Sequence, residues 1–176
     1  MQAALADILE RPSPVRPHVK PLEYDDVLDV ATNMREWDKR EIYATRWSDD
    51  PAALARDCMI IPDFGWTIWL DKPLCAIGAV PLHPGVWSVW MFAKDDFPTV
   101  GLYATKFARR VMMPGLVNSG ARRAQCLSIE GHEDAHKWLR LLGAKAESRL
   151  WGFGKNGEDF HCFAWSSDDV RTRSIR

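Results

Sequence analysis

The chain has 176 residues, 47% of them hydrophobic, and 23 Lys and Arg against 24 Asp and Glu give a net charge of -1 and a pI near 6.5. That length is the prior for one domain with ample apolar material for a core, and the balanced charge offers no global attraction to nucleic acid or anionic membranes. No apolar run approaches the ~20 residues that cross a bilayer, and the N-terminal MQAALADILERP carries acids where a signal peptide would be basic, so a soluble, non-exported chain with no membrane partner is expected.

Residues 1–17 stand apart. Gln2 to Leu9 can form a short helix, but Arg11-Pro12-Ser13-Pro14-Val15-Arg16-Pro17 cannot continue it and should run extended. The segment reads as an arm, either a floppy terminus or a docking arm that orders on a partner. His18 to Tyr24 follows as an opening strand. Asp25-Asp26 can cap a helix that begins near Val27 and repeats through Val30, Ala31 and Met34. A second helical stretch runs through Trp37, Ile42, Tyr43 and Trp47, and a third starts after Asp49-Asp50-Pro51, with proline in its first turn.

Between Phe64 and Lys94 the period becomes that of strands. Trp66 to Leu70, Leu74 to Val80 and Val86 to Phe92 are rich in Val, Ile, Trp and Leu. Asp71-Lys72-Pro73 and His83-Pro84-Gly85 are compact turns, which predicts an antiparallel meander with His83 a solvated loop histidine. Ala93 to Gly101 leads into a long helical pattern from about Leu102 to Leu116. Phe107, Val111 and Met112 mark its apolar face, and Lys106, Arg109 and Arg110 form a cationic face that reads as solvated rather than as a phosphate site.

Ala124 to Ile129 alternates as a strand with one buried face, and Glu130-Gly131 breaks it. Ala135, Trp138, Leu139 and Leu142 then fall on one face of a helix that Gly143 stops. Ser148 to Phe153 and Phe160 to Trp165 are two more strands, joined by a Lys155-Asn156-Gly157-Glu158-Asp159 turn. Residues 167–176 form a basic tail carrying Arg171, Arg173 and Arg176. It is either solvated or in contact with DNA or an acidic partner, a contact that would weaken steeply with salt.

His132-Glu133-Asp134-Ala135-His136 matches H-E-x-x-H, the zinc hydrolase motif. Gly131 puts His132 at the first turn, roughly at the N-cap, whereas that motif needs both histidines inside a helix. No third ligand follows at a defined spacing, so no metal is expected. Cys58, Cys75, Cys126 and Cys162 lack a C-x-x-C pair and sit in apolar contexts, as buried reduced thiols do. Nine tryptophans are many for this length; they fill a core or mark an interface.

The order is strand, helices, three strands, helix, strand, helix, two strands. With Ala135, Trp138, Leu139 and Gly143 read as A-x-x-W-L-x-x-x-G after a strand, residues 18–166 resemble the GCN5-related N-acetyltransferase (GNAT) superfamily. The resemblance implies an α+β fold: a mixed, mostly antiparallel sheet of about seven strands with helices on both faces. In that family the fourth and fifth strands splay apart, and acyl-coenzyme A enters the gap with its pyrophosphate on the following helix. Here the gap would lie between Val86–Phe92 and Ala124–Ile129. An acyl carrier would meet the backbone of Phe92, Ala93 and Lys94, with Gly101 and Leu102 at the phosphate end.

The loop from Asp95 to Gly101 departs from the family pattern Q/R-x-x-G-x-G/A. Asp95 and Asp96 would repel a pyrophosphate, and Pro98 removes an amide donor. The family tyrosine that serves as general acid corresponds to Leu139, which has no proton to donate, and a family asparagine corresponds to His132. Glu130 at the strand end remains the candidate general base, with helix capping or solvation as its plainer role. No cofactor is therefore expected, with acetyl-CoA as the alternative.

Asn33-Met34-Arg35-Glu36-Trp37-Asp38, Lys72 to Pro81, and Ser128 to His136 together resemble the internal virion protein A family of T7-like phages. That resemblance implies a non-catalytic acyltransferase-like body in virion assembly or genome delivery, located in the virion or the infected-host cytoplasm. Its partners would be portal, tail or other internal virion proteins, with DNA contact through the C-terminal tail. The alternative is an acyl-CoA-dependent N-acetyltransferase with a divergent site.

Overall fold

The computed structural model describes the backbone of residues 16–174 and side chains through Val170. The arm expected over residues 1–17 lies outside the described residues except for Arg16 and Pro17. Seven strands form one sheet in the order β1-β2-β3-β4-β5-β7-β6. They are β1 (His18–Pro21), β2 (Gly65–Trp69), β3 (Pro73–His83), β4 (Val86–Ala93), β5 (Arg123–Ile129), β6 (Lys145–Leu150) and β7 (Phe160–Ser166). All neighbours are antiparallel except β4 and β5.

The meander forms as its pattern requires, with Gly85 supplying the positive φ of the β3–β4 turn. Alternation along these strands sends side chains to two cores. Paired Ala76 and Phe92 pack with Val27, Val30, Leu54 and Ala55 on one face, and their neighbours Cys75, Ile77 and Ala93 join Val100, Ala104, Leu116 and Leu139 on the other. Helices therefore cover both faces.

Three helices separate β1 from β2: α1 (Tyr24–Thr32), α2 (Glu36–Ala44) and α3 (Pro51–Cys58). Asp50 caps α3, accepting the Ala52 and Ala53 amides at 2.9 and 3.2 Å, and Pro51 opens the helix at no cost in hydrogen bonds. α1 starts earlier than expected. Glu23 is its N-cap residue without a side-chain cap, and Asp25 and Asp26 lie inside the first turn, where the helix dipole favours acids.

The long helix is one run with a defect: α4 (Gly101–Phe107), a π-helical turn (Ala108–Met112) and α5 (Met113–Asn118). Pro114 has no amide to offer the preceding turn, so the helix widens ahead of it, and the Met113 N–H reaches back to the Ala108 carbonyl. α6 (Glu133–Leu142) has His132 as its N-cap residue and ends at Gly143 in the left-handed region, φ 95°.

Two expectations change at the C-terminal side. β6 begins at Lys145 rather than Ser148 and ends at Leu150, so Trp151 and Phe153 stand exposed in the loop to β7. An edge strand whose residues are nearly all exposed carries no alternation to read. Within the expected basic tail of residues 167–176, residues 167–174 form a helix, α7 (Ser167–Ser174). Asp169 accepts from the Ser166 amide and hydroxyl and from Lys145, and Val170 is buried against the α4–α5 side of the sheet.

Candidate functional site

β4 and β5 pair only over Val86↔Arg123, Trp87↔Ala124 and Ser88↔Gln125. Beyond Ser88 they part, β4 staying with β3 and β5 with β7. A cavity of about 570 Å³ fills the opening. Its walls come from Val89 and Met91 of β4, Cys126 and Ser128 of β5, and Trp138 and Leu139 of α6, with Met112 and Met113 of the π-widened helix closing one side. Much of this lining is apolar; its charged groups come mainly from α2.

Arg35, the N-cap residue of α2, and Asp38 and Glu41 on α2 fall three apart, Ile42 lies four beyond Asp38, and all four line the cavity. Asp38 is 3% exposed. Arg35 reaches both of its oxygens at 2.8 and 2.9 Å, and the Ala93 amide donates to Oδ2 at 2.6 Å. Burial pushes the Asp38 carboxyl above its ordinary range, and Arg35, beside it, pulls the other way.

One turn along, Glu41 Oε2 accepts from the Ser128 hydroxyl at 2.6 Å, the Ile129 amide at 2.9 Å and His132 Nδ1 at 3.1 Å. Against a carboxylate that ring nitrogen must be the donor, so neutral His132 carries its proton on Nδ1 and keeps a lone pair on Nε2. Nε2 stands 3.8 Å from Asp38 Oδ1, too far for a hydrogen bond. The ring stacks on Trp37 at 5.6 Å between centroids and 12° between planes, and the Arg40 guanidinium lies over the Trp37 ring at 4.5 Å. A carboxylate that orients an imidazole through one nitrogen leaves the other able to accept a proton or a donor from a ligand.

Glu130 lies outside this cavity. Its carboxylate, 44% exposed, accepts from His161 Nε2 at 2.7 Å and faces Arg149 at 3.3 Å. The amides expected to meet an acyl carrier are in part committed internally: Ala93 N–H to Asp38, and Lys94 N–H to the Leu74 carbonyl at 2.9 Å. The Phe92 side chain belongs to the opposite core, and the Lys94 ammonium pairs with Asp29 at 2.7 Å. Between Asp95 and Gly101 the chain makes a 3-10 turn (Phe97–Thr99), which consumes the Phe97, Thr99 and Val100 amides. Asp96 pairs with Lys72 at 2.8 Å, Gly101 opens α4, and Leu102 is exposed.

His136 does not face His132. It is buried under α6 against Phe163 and His161, with ring centroids 5.1 and 5.3 Å away. No group of three or more His, Cys, Asp or Glu suited to a metal occurs among the described residues. Asp38 and Glu41 were not singled out from sequence. The available signal was the Arg35, Asp38, Glu41, Ile42 spacing, which puts them on one side of a helix next to an apolar residue.

No family model matches the sequence, and no curated protein matches it. Solved structures do. An acetyltransferase of the GNAT family from Bacillus anthracis is 13% identical with a TM-score of 0.67, over 89% of this chain and 98% of that one. Ard1 from Thermoplasma volcanium is 10% identical with a TM-score of 0.68, over 86% and 98%. The Salmonella typhimurium protein yncA, solved with its cofactor acetyl-CoA, is 9% identical with a TM-score of 0.66, over 87% and 95%. The chain has the GNAT fold; at these identities the likeness extends to the fold alone.

Proposed function

We propose that this chain is a phage virion or assembly protein whose GNAT-like body binds other proteins and does not transfer acyl groups. The observation that carries the reading is the Asp38 carboxylate on the Ala93 amide, with the Arg35 amide on the Ala93 carbonyl at 2.9 Å. Together they occupy the edge of β4 that an acyl carrier would need. The 3-10 turn before α4 supports it, since the Phe97, Thr99 and Val100 amides are spent and the Asp95 carboxylate ahead of the turn opposes a pyrophosphate. Leu139, in the position of the family's acid, supports it as well. The virion setting rests on the resemblance carried by Asn33–Asp38, Lys72–Pro81 and Ser128–His136, which makes portal, tail or other internal virion proteins the partners. Crosslinking mass spectrometry on purified particles tests that setting: the chain should be recovered linked to a structural protein, and particles without it contradict the proposal.

The second reading is an N-acetyltransferase with a divergent site. It is favoured by the splayed cavity and by His132, oriented by Glu41 with Nε2 left to accept a proton. In that reading His132, and not Glu130, is the base.

A further inference from the structure

From Phe97 to Ile129 the sequence has no Asp or Glu, yet it carries Lys106, Arg109, Arg110, Arg122 and Arg123. In a chain of net charge -1 this is a local excess of positive charge, and the fold sets most of it on one surface. Phe107, Ala108, Met112, Met113 and Leu116 form the buried side of the run from α4 through the π-helical turn to α5. Lys106, three and four residues before Arg109 and Arg110, is turned outward with them, and all three are exposed. The π-helical turn contributes, because Arg109, Arg110 and Val111 are consecutive exposed residues between buried Ala108 and Met112.

Elsewhere cations are matched: Lys72 with Asp96, Lys145 with Asp169 and Arg149 with Asp159, each at 2.8 Å. Lys106, Arg109 and Arg110 enter no ion pair among the described residues. α7 packs beside α5 and the π-helical turn, anchored by the Ser167 N–H on the Arg122 carbonyl at 2.9 Å and by buried Val170. Both of its acids lie in the first turn, where Asp169 is held by Lys145 and Ser166, and the helix continues through positions 171 and 173, both arginine.

None of Lys106, Arg109 and Arg110 lines the gap between β4 and β5. A row of unmatched cations on a convex helix suits a repeating anion rather than a single enclosed one. By helix rise the run from Lys106 to Asn118 is about 18 Å long, over which duplex DNA presents about ten phosphate charges. Tyr103 packs against the core and Phe107 is buried, so the run gives no aromatic platform for the bases of a single strand. Leu102 and Val111 are its exposed large apolar residues, too little to insert into a bilayer.

We propose that the outer face of α4, the π-helical turn and α5, with α7 alongside, binds the phosphate backbone of duplex DNA without sequence preference, through Lys106, Arg109 and Arg110. The inference goes beyond the proposed function and does not depend on it, since this face lies apart from the gap whether or not the gap takes an acyl carrier.

The test is fluorescence anisotropy of a labelled random-sequence DNA duplex titrated with the full chain at pH 7.5. Saturable binding is expected in 50 mM salt. With three to four phosphates neutralised, it should weaken roughly 40- to 150-fold by 200 mM. The double variant Arg109→Gln, Arg110→Gln should bind roughly tenfold or more weaker in 50 mM salt, with a salt slope shallower by about two. Lys137→Gln, which removes an exposed cation on α6, should leave affinity and slope unchanged. Unlabelled competitors need no variant: a second, unrelated DNA duplex should displace the label as well as the first. Tighter binding to vesicles of phosphatidylserine and phosphatidylcholine, or to an RNA duplex, overturns the proposal. So does absence of binding in 50 mM salt. Unchanged binding by the double variant, with loss on Arg171→Gln, Arg173→Gln, Arg176→Gln, places the DNA on the C-terminal residues alone and also overturns it.

Discussion

Asp38 Oδ2 accepts the main-chain N–H of Ala93 at 2.6 Å across 55 positions of sequence. This bond fixes α2 to the end of β4 where the strand has left β5, and it turns a backbone donor at the open edge into an internal contact. Because Arg35 and Ala93 both depend on Asp38, removing the carboxylate leaves a guanidinium and a buried amide without their partner. Asp38→Ala should cost about 3–5 kcal/mol in urea unfolding, the range for breaking one side of a buried pair. Asp38→Asn keeps an acceptor for Ala93 and should cost less. Equal, near-zero losses for both variants would mean that the contact does not hold α2 in place.

Gly78 on β3 faces Trp90 on β4, and a Cβ there would stand 2.5 Å from Trp90 Cζ2 and 2.8 Å from the Phe64 carbonyl oxygen. The indole can shift, but the main-chain oxygen cannot shift cheaply. Gly78→Ala should destabilise the chain by about 1–3 kcal/mol through overpacking. Thermal unfolding checks it, and an unchanged midpoint would contradict the close approach.

His136 Nε2 is buried without a hydrogen-bond partner. Burial holds its pKa below the ordinary value of 6.5, with His161 acting in the same direction, Glu133 and Glu41 opposing, and Arg140 adding to the depression. Since the unfolded chain binds this proton more readily, the contribution to stability is fully present above the ordinary value. It is lost as pH falls from there through the depressed one. Between about pH 7 and pH 5 the wild type should lose stability that His136→Phe does not, read as the difference in urea unfolding free energy between the two chains. Parallel profiles would show that His136 is not held neutral by burial.

The order of elements was legible because it rests on local chemistry: the meander's alternation, Asp50 and Pro51 at the start of α3, and Gly143 at the end of α6. The gap between β4 and β5 was legible through the family resemblance. The polar cluster inside it was not, because Asp38 owes its burial to Ala93 and Glu41 owes its partners to Ser128, Ile129 and His132, all far along the chain. Glu130 drew notice by standing at a strand end, yet its side chain meets β6 and β7. β6 gave no period because its residues are almost all exposed, and α7 was hidden because Val170 is the one apolar residue among its eight.

Whether the splayed strands still take an acyl carrier is decided by titrating acetyl-CoA into the full chain while following tryptophan fluorescence, with Trp90 and Trp138 lining the cavity as reporters. No saturable change up to millimolar acetyl-CoA is expected if the Asp38–Ala93 contact and the acidic turn exclude it. Saturable binding in the micromolar range would contradict that account and restore the acetyltransferase reading.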